Sequence, residues 1–469
     1  MSKNATLAIK ITTFYLIANI FEKAIDFFLL PVFTSVLSPA DYGIVSTYLS
    51  YVSIFSVFIS LSLGSSVRFA VIDYKDKLDS YVSSLVTLQI IIALLVSVVV
   101  GIISKFFLPD EYHILTIFCL LHAFFGCIIS MVSLRYMVEM KYVKRSMLLI
   151  MPNLLAIPLS IMLIRIYPTI PYMGRIVGIL STIGFVGFIY TIILLLRGKQ
   201  LVSLANWKYA IKYSLPLVFH GLTLVLLNQI DRTMLTSIRG VSDTGIYSVA
   251  CSFGSIAFAF TTAMENTWIP WFYRMAQKGD YIQINKYSKI YTWTCVLLSC
   301  GIIFLSPEVV KVFINDAYWP AIGVIPFLVG GTFFKAVSGL PINAMYYTKK
   351  TRMIAASSLL ALVVTLLLNY MLIPKFGAIG AAISSAIAYM VLFIMQSVST
   401  KIQYTHMFPN IVFILQGLII MAVVTVGYIT QENFKTRWLL TAIIVLIYGL
   451  ILHKSRLLNN VLVKKKNDE

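Results

Sequence analysis

Apolar stretches follow one another along almost the whole chain, separated by short polar turns. A bilayer core needs about 20 consecutive, mainly apolar residues per helix. That template fits at residues 11–34, 42–64, 81–104, 112–134, 147–166, 171–196, 211–238, 244–264, 288–305, 320–346, 353–373, 377–398, 408–429 and 436–453. The pattern predicts an all-α polytopic membrane protein with about 14 transmembrane helices. Pro31, Pro152, Pro158, Pro216, Pro326 and Pro341 fall inside spans and are expected to mark kinks, where neighbouring helices and water satisfy the freed backbone groups. Two connecting segments exceed a simple turn: RGKQLVSLANWKYA at 197–210 and NTWIPWFYRMAQKGDYIQINKY at 266–287. Both mix basic residues with aromatic ones, as expected of interfacial helices.

The pattern also repeats. TSVLSPADYGIVS, Thr34 to Ser46, aligns with TSIRGVSDTGIYS, Thr236 to Ser248, at an offset of 202 with six identities in thirteen. The pairs are Thr34 with Thr236, Ser35 with Ser237, Asp41 with Asp243, Gly43 with Gly245, Ile44 with Ile246 and Ser46 with Ser248. YVKR at 142–145 echoes YTKK at 347–350, between the fourth and fifth spans of each half. Spans one to six therefore match seven to twelve, and an even number of spans gives both units the same orientation about an axis along the membrane normal. The expected organisation is an N-terminal six-helix lobe over 1–196, a basic interfacial linker over 197–210, a second lobe over 211–398, and two additional helices with a basic tail over 399–469. Two parallel six-helix repeats of this kind enclose a central cavity, with spans one and seven as its natural walls. Small-residue runs, GAIGAAISSAIAYM at 377–390 and CSFGSIAFAF at 251–260, read as close-packing seams.

Composition agrees: 59% hydrophobic, 12% charged and a mean hydropathy of +0.89, far from the roughly 25% charged content of soluble domains. The excess of 37 Lys+Arg over 18 Asp+Glu would suggest a nucleic-acid partner in a soluble chain. Here its distribution matters more. A cytoplasmic N-terminus assigns about 26 basic residues to the cytoplasmic side and about 9 to the other, which satisfies the positive-inside rule and predicts that both termini are cytoplasmic. No nucleic-acid partner is expected. The N-terminal apolar run is too long and too charged for a cleavable signal and reads as the first span. Five cysteines inside apolar stretches without CxxC spacing, and five scattered histidines, give no disulfide framework or metal centre. Loops are short and lack DxD or HxxE-type constellations, so no catalytic residues are assigned and an embedded glycan polymerase or transferase is disfavoured.

Charge inside spans carries the candidate chemistry. Glu22, Lys23 and Asp26 lie mid-span, where each ionised group costs roughly 2.5–3.5 kcal/mol against lipid, so the three require partners or water. Glu22 and Asp26 share a helix face at i, i+4, with Lys23 within reach of Asp26. Either they form an ion-pair cluster that locks helices, or they line a functional cavity. Lys335, in the tenth span, has no acidic residue within one helical turn in the sequence. Asn228 occupies the position equivalent to Asp26, while Glu22 and Lys23 match Leu224 and Val225, so the fold repeats and its polar lining does not. His220 and Glu265 are further polar residues within spans.

YSLPLVFHGLTLVLLNQIDRTMLTSIRGVSDTGIYSVA, Tyr213 to Ala250, resembles the Wzx-type polysaccharide flippases, with their LP pair, a DR pair before a short turn, and GIYSVA opening the next span. LLPVFTSVLSPADYGIVSTY, Leu29 to Tyr48, is similar to the N-terminal signature of the same family. The layout of about fourteen spans as six, six and two extends the resemblance over nearly the whole chain, within the multidrug/oligosaccharidyl-lipid/polysaccharide exporter superfamily.

The resemblance implies alternating-access transport of an undecaprenyl-diphosphate-linked oligosaccharide, an O-antigen or capsule repeat unit, across the bacterial cytoplasmic membrane. It implies membrane lipids, a polysaccharide polymerase and a chain-length regulator as partners, and no cofactor beyond H+ or Na+ coupling. On this expectation Lys23 and Lys335 contact the diphosphate, and Asn228 lines the same cavity. Arg135 receives substrate at the inner mouth, or snorkels to headgroups. Asp231 and Arg232 match the DR pair and serve an outer gate, an interlobe salt bridge or substrate contact. Glu22 and Asp26 bind the coupling ion. A multidrug antiporter and a peptidoglycan-precursor flippase are the neighbouring alternatives.

Overall fold

The computed structural model describes residues 27–74, 77–107, 109–401, 408 and 410–443. Among them every regular element is helical: α1 (Leu30–Val36), α2 (Pro39–Ser60), α3 (Leu63–Asp73), α4 (Leu78–Phe107), α5 (His113–Val138), α6 (Tyr142–Ile166), α7 (Pro171–Gly198), α8 (Leu204–Arg239), α9 (Val241–Lys278), α10 (Tyr281–Phe313), α11 (Ala321–Tyr347), α12 (Thr351–Lys401) and α13 (Asn410–Ile429). Ten described helices are long and apolar enough to cross a membrane, or eleven if bent α8 counts as one span. Helix α12, at 51 residues, covers two of the sequence-derived spans. It breaks at Gly377, whose φ of 54° and ψ of −130° suit glycine.

Helix ends follow local chemistry. Ser38 caps α2 in a reciprocal box: its Oγ accepts from the Asp41 N–H at 3.2 Å while Asp41 Oδ2 accepts from the Ser38 N–H at 3.1 Å. Pro31 sits in the first turn of α1, where a missing N–H costs little. Pro152 and Pro158 lie inside α6, and Pro326 and Pro341 inside α11. Helix α8 turns by 47° between Leu204–Leu215 and Leu217–Arg239, with Pro216 at the break. The 197–210 segment contains the end of α7, a left-handed cap at Lys199 and the first turns of α8, and the 266–287 segment continues α9 to Lys278 before α10 begins at Tyr281.

The chain divides into two compact units: Met1–Ser248 with Asn369–Gly377, and Val249–Leu368 with Ala378–Glu469. Helix α8, which begins the second sequence repeat, thus belongs to the same unit as the described helices of the first half. Its start is docked by Trp207 Nε1, donating to the Ser84 carbonyl at 2.8 Å, and by Asn206 Nδ2, donating to Ser84 Oγ at 3.1 Å. Tyr81, Leu85, Ile128 and Met131 form part of the core beneath. Helices α6 and α7 meet through GRIVG, where a Cβ on Gly174 would lie 2.6 Å from the Ile164 nitrogen and one on Gly178 would lie 2.3 Å from Ser160 Oγ.

In the second unit the small-residue seams are used as read: Gly331 faces Ala386, and Gly254 faces Thr332. Helix α13 packs on α10 and α11. The segment beyond it is pinned by Arg437, which is 3% exposed, pairs with Glu308 and donates to the Thr430 carbonyl at 2.9 Å.

Candidate functional site

The repeated motif folds twice into a helix–turn–helix, α1–α2 and α8–α9, and in the first unit the two copies meet. Ser46 Oγ and Ser248 Oγ, equivalent positions in the repeat, lie 2.6 Å apart. A Cβ on Gly43 would sit 1.7 Å from the Val241 carbonyl oxygen, and one on Gly245 would sit 1.9 Å from that of Pro39. Each glycine therefore lets the partner helix's backbone approach to a distance that no side chain permits. Thr47 Oγ1 reaches Thr236 Oγ1 at 2.6 Å, and Thr236 reaches Thr244 at 2.8 Å. Because equivalent residues touch each other, a local two-fold axis passes between the N-terminal turns of α2 and α9. The identities retained at Gly43/Gly245 and Ser46/Ser248 are those that stand on this axis.

Deeper along α8 lies a polar layer. Asp231 is 4% exposed; its Oδ2 accepts from the Tyr247 hydroxyl at 2.9 Å and its Oδ1 from Asn369 Nδ2 at 2.7 Å. Arg232 Nη1 donates to Gln229 Oε1 at 2.9 Å, which also accepts from Ser50 Oγ at 3.0 Å, so the DR pair is built into contacts that join α8 to α2. Asn228 is exposed and its amide donates to the Leu224 carbonyl at 2.6 Å.

In the second unit, Lys335 lies near the middle of α11, the most enclosed of the described spans, with 83% of its apolar window buried. Its Nζ stands 4.4 Å from the Phe258 ring centroid and 5.1 Å from that of Tyr389, a cation–π cradle. Further along the same helix, Asn343 donates to the Gly339 carbonyl at 2.6 Å and hydrogen-bonds Glu265 of α9.

Arg135 closes an ion cluster at the end of α5. It lies 2.6 Å from Asp79 and 2.7 Å from Glu139, and Lys141 lies 2.5 Å from Glu139. Burial, the largest single influence, pushes the Glu139 carboxyl up, but the hydrogen bonds and charges of Lys141 and Arg135 together hold it below the usual carboxylate range. A depressed carboxylate contributes stability that is present above its unfolded pKa and lost as pH falls through its folded value. Arg135→Ala is expected to lower the detergent-solubilised thermal midpoint, at a cost of about 1–2 kcal/mol given that Asp79 is partly exposed. If Arg135→Ala left the midpoint unchanged and impaired transport, the guanidinium would serve substrate instead.

Glu22, Lys23 and Asp26 lie outside the described residues. Of the other sequence candidates, Asp231 and Arg232 share one layer, with Asn228 a turn away on the same helix, while Lys335 and Arg135 stand in separate surroundings. Sequence reasoning passed over Gln229, Tyr247 and Asn369. A lone Asn in the apolar run LLLNYMLIP was the available signal for Asn369.

The family described as polysaccharide biosynthesis protein matches residues 8–276, more than half of the chain. Among curated relatives, a "probable low-salt glycan biosynthesis flippase", Agl15 of Haloferax volcanii, is 23% identical over 222 residues, 45% of this chain and 46% of that protein. The match thus spans about half of that relative's length. An uncharacterized membrane protein of Methanocaldococcus jannaschii is 21% identical over 88% of this chain and 87% of its own. Among solved structures, the lipid II flippase MurJ in an inward closed conformation superposes with a TM-score of 0.68 at 15% identity, covering 96% of this chain and 99% of MurJ. An inward-facing multidrug resistance MATE transporter of the MOP superfamily gives 0.57 at 13%, covering 85% and 95%. These likenesses establish the fold.

Proposed function

Because the chain belongs to the polysaccharide biosynthesis protein family, we propose that it is a flippase for an undecaprenyl-diphosphate-linked oligosaccharide, moved from the inner to the outer leaflet of the bacterial cytoplasmic membrane by alternating access. The observation that carries this reading is Lys335: a cation at mid-span depth in the most enclosed described helix, cradled by aromatic faces and half-buried. An ammonium at that depth is costly, and a diphosphate is the anionic part of the substrate.

Alternating access also needs a seal that opens. The Gly43/Gly245 and Ser46/Ser248 seam suits that role at the outer end of α2 and α9, since its hydroxyl contacts are few and individually worth only about 0.5–1.5 kcal/mol. Among the described residues Asp231, held by Tyr247 and Asn369, suits H+ or Na+ coupling, and Glu22 and Asp26, outside the described residues, are the sequence's other candidates for it. The basic-residue distribution supports a cytoplasmic position for both termini, and a polymerase and chain-length regulator would act on the translocated product.

The test is leaflet-specific. Deleting the gene is expected to leave lipid-linked oligosaccharide on the inner leaflet, with drug sensitivity unchanged, and re-expression should clear it. Unchanged lipid distribution with altered drug sensitivity would identify a multidrug antiporter. Glycan elongation by the purified protein would identify an enzyme.

A further inference from the structure

Helices α9 and α11 face each other in one register within the second unit. Phe258 of α9 stands at the level of Lys335, and Glu265, seven residues on and on the same face of α9, stands at the level of Gly339 and Asn343. Lys335, Gly339 and Asn343 follow one another at four-residue spacing along one face of α11. The rise per residue puts Glu265 about 10 Å along the axis from the lysine level.

This carboxylate is held in a particular way. Gly339 leaves the opposite wall bare: a Cβ there would lie 2.9 Å from Glu265 Oε1. Asn343, 3% exposed, is hydrogen-bonded both to the Gly339 carbonyl and to Glu265, and is too enclosed to meet a ligand itself. Glu265 is half-buried. A carboxylate has about four acceptor sites, so one amide contact leaves most of its capacity for a donor-rich ligand. Such a ligand is a sugar, with hydroxyl and amide N–H groups.

We propose that Glu265, oriented by Asn343 over the bare backbone of Gly339, accepts hydrogen bonds from the sugar attached to a diphosphate held at Lys335. This rests on the flippase reading of Lys335. Glu265 is the group that touches sugar, and Asn343 is a positioning residue. The site recognises the glycan end of the substrate, and Lys335 recognises the anion common to every lipid diphosphate.

Two probes separate the parts: undecaprenyl diphosphate without sugar, and the same lipid carrying one N-acetylhexosamine, each bound to the full-length protein in nanodiscs. The isosteric Glu265→Gln is expected to weaken the sugar-bearing probe about tenfold and leave the bare lipid unchanged. Asn343→Ala and Gly339→Ala should produce the same sugar-selective loss, the former by freeing the carboxylate and the latter by displacing it. Lys335→Ala should weaken both probes alike.

If Glu265→Gln weakens neither probe, or both equally, the proposal is overturned. If it alters only the pH dependence of transport, Glu265 is a proton site and the proposal is equally overturned. Should Lys335→Ala leave both probes untouched while Glu265→Gln keeps its sugar-selective loss, the diphosphate reading fails and the sugar contact stands.

Discussion

Ser46→Cys/Ser248→Cys is expected to cross-link on mild oxidation and to bring transport down to background, with reduction restoring it. The two hydroxyl oxygens already stand 2.6 Å apart on helices joined by the Gly43/Gly245 approach, so a disulfide needs little backbone movement. If the seam is the seal proposed above, a covalent bond there holds one state whatever the substrate does. The reciprocal change is Gly43→Ala. Its Cβ would lie 1.7 Å from the Val241 oxygen, so α2 and α9 must move apart, straining the Ser46–Ser248 and Thr47–Thr236 contacts. Losing both, at about 1 kcal/mol each, shifts the seam toward open by about ten- to a hundredfold. Substituted-cysteine labelling of α2 should then increase from the outside, opposite to the cross-linked protein. Full transport by the oxidised double-cysteine protein would show that the seam stays closed throughout the cycle and that the gate lies elsewhere.

The seam also shows what kind of information the sequence held. The six identities between Thr34–Ser46 and Thr236–Ser248 revealed the repeat because a local two-fold axis makes each copy the other's environment, so both must keep the same small residues. Span positions were legible for a similar reason, since membrane length and apolarity are set by the bilayer and not by the partner helix. Thus 147–166 and 171–196 reappear within α6 and α7. The break in α12 fell at Gly377, where the pattern separates 353–373 from 377–398. Packing partners were not legible. Nothing local in 211–238 says that α8 docks on Ser84 and packs with the first unit, because those bonds reach residues more than 120 positions away. Arg135 read as a substrate contact at the inner mouth or a headgroup-snorkelling residue for the same reason: Glu139 is in view one turn on, but Asp79 joins it only through the fold. Glu265 and Asn343, 78 residues apart, show no relation until α9 and α11 are in register.

Lys335→Ala should abolish transport without loss of protein, and magnitudes favour that outcome over a purely structural lysine. The Phe258 and Tyr389 faces hold the ammonium with about 0.5–2 kcal/mol. Each charge-assisted hydrogen bond to a phosphate oxygen contributes about 1.5–3 kcal/mol, and a diphosphate offers several. On the proposed function an arriving lipid diphosphate would offer more than the aromatic cradle supplies, and the cradle would keep the cation aimed. Removal of the ammonium is expected to weaken undecaprenyl diphosphate binding about ten- to a hundredfold. Lys335→Arg should restore part of it, because a guanidinium keeps the charge and forms bidentate phosphate contacts but fits the cradle differently. Phe258→Leu should weaken binding less than Lys335→Ala, since it removes the aim and not the charge. If Lys335→Ala cells clear lipid-linked oligosaccharide from the inner leaflet at the normal rate, the cation at the middle of α11 holds helices together and the diphosphate is received by other groups.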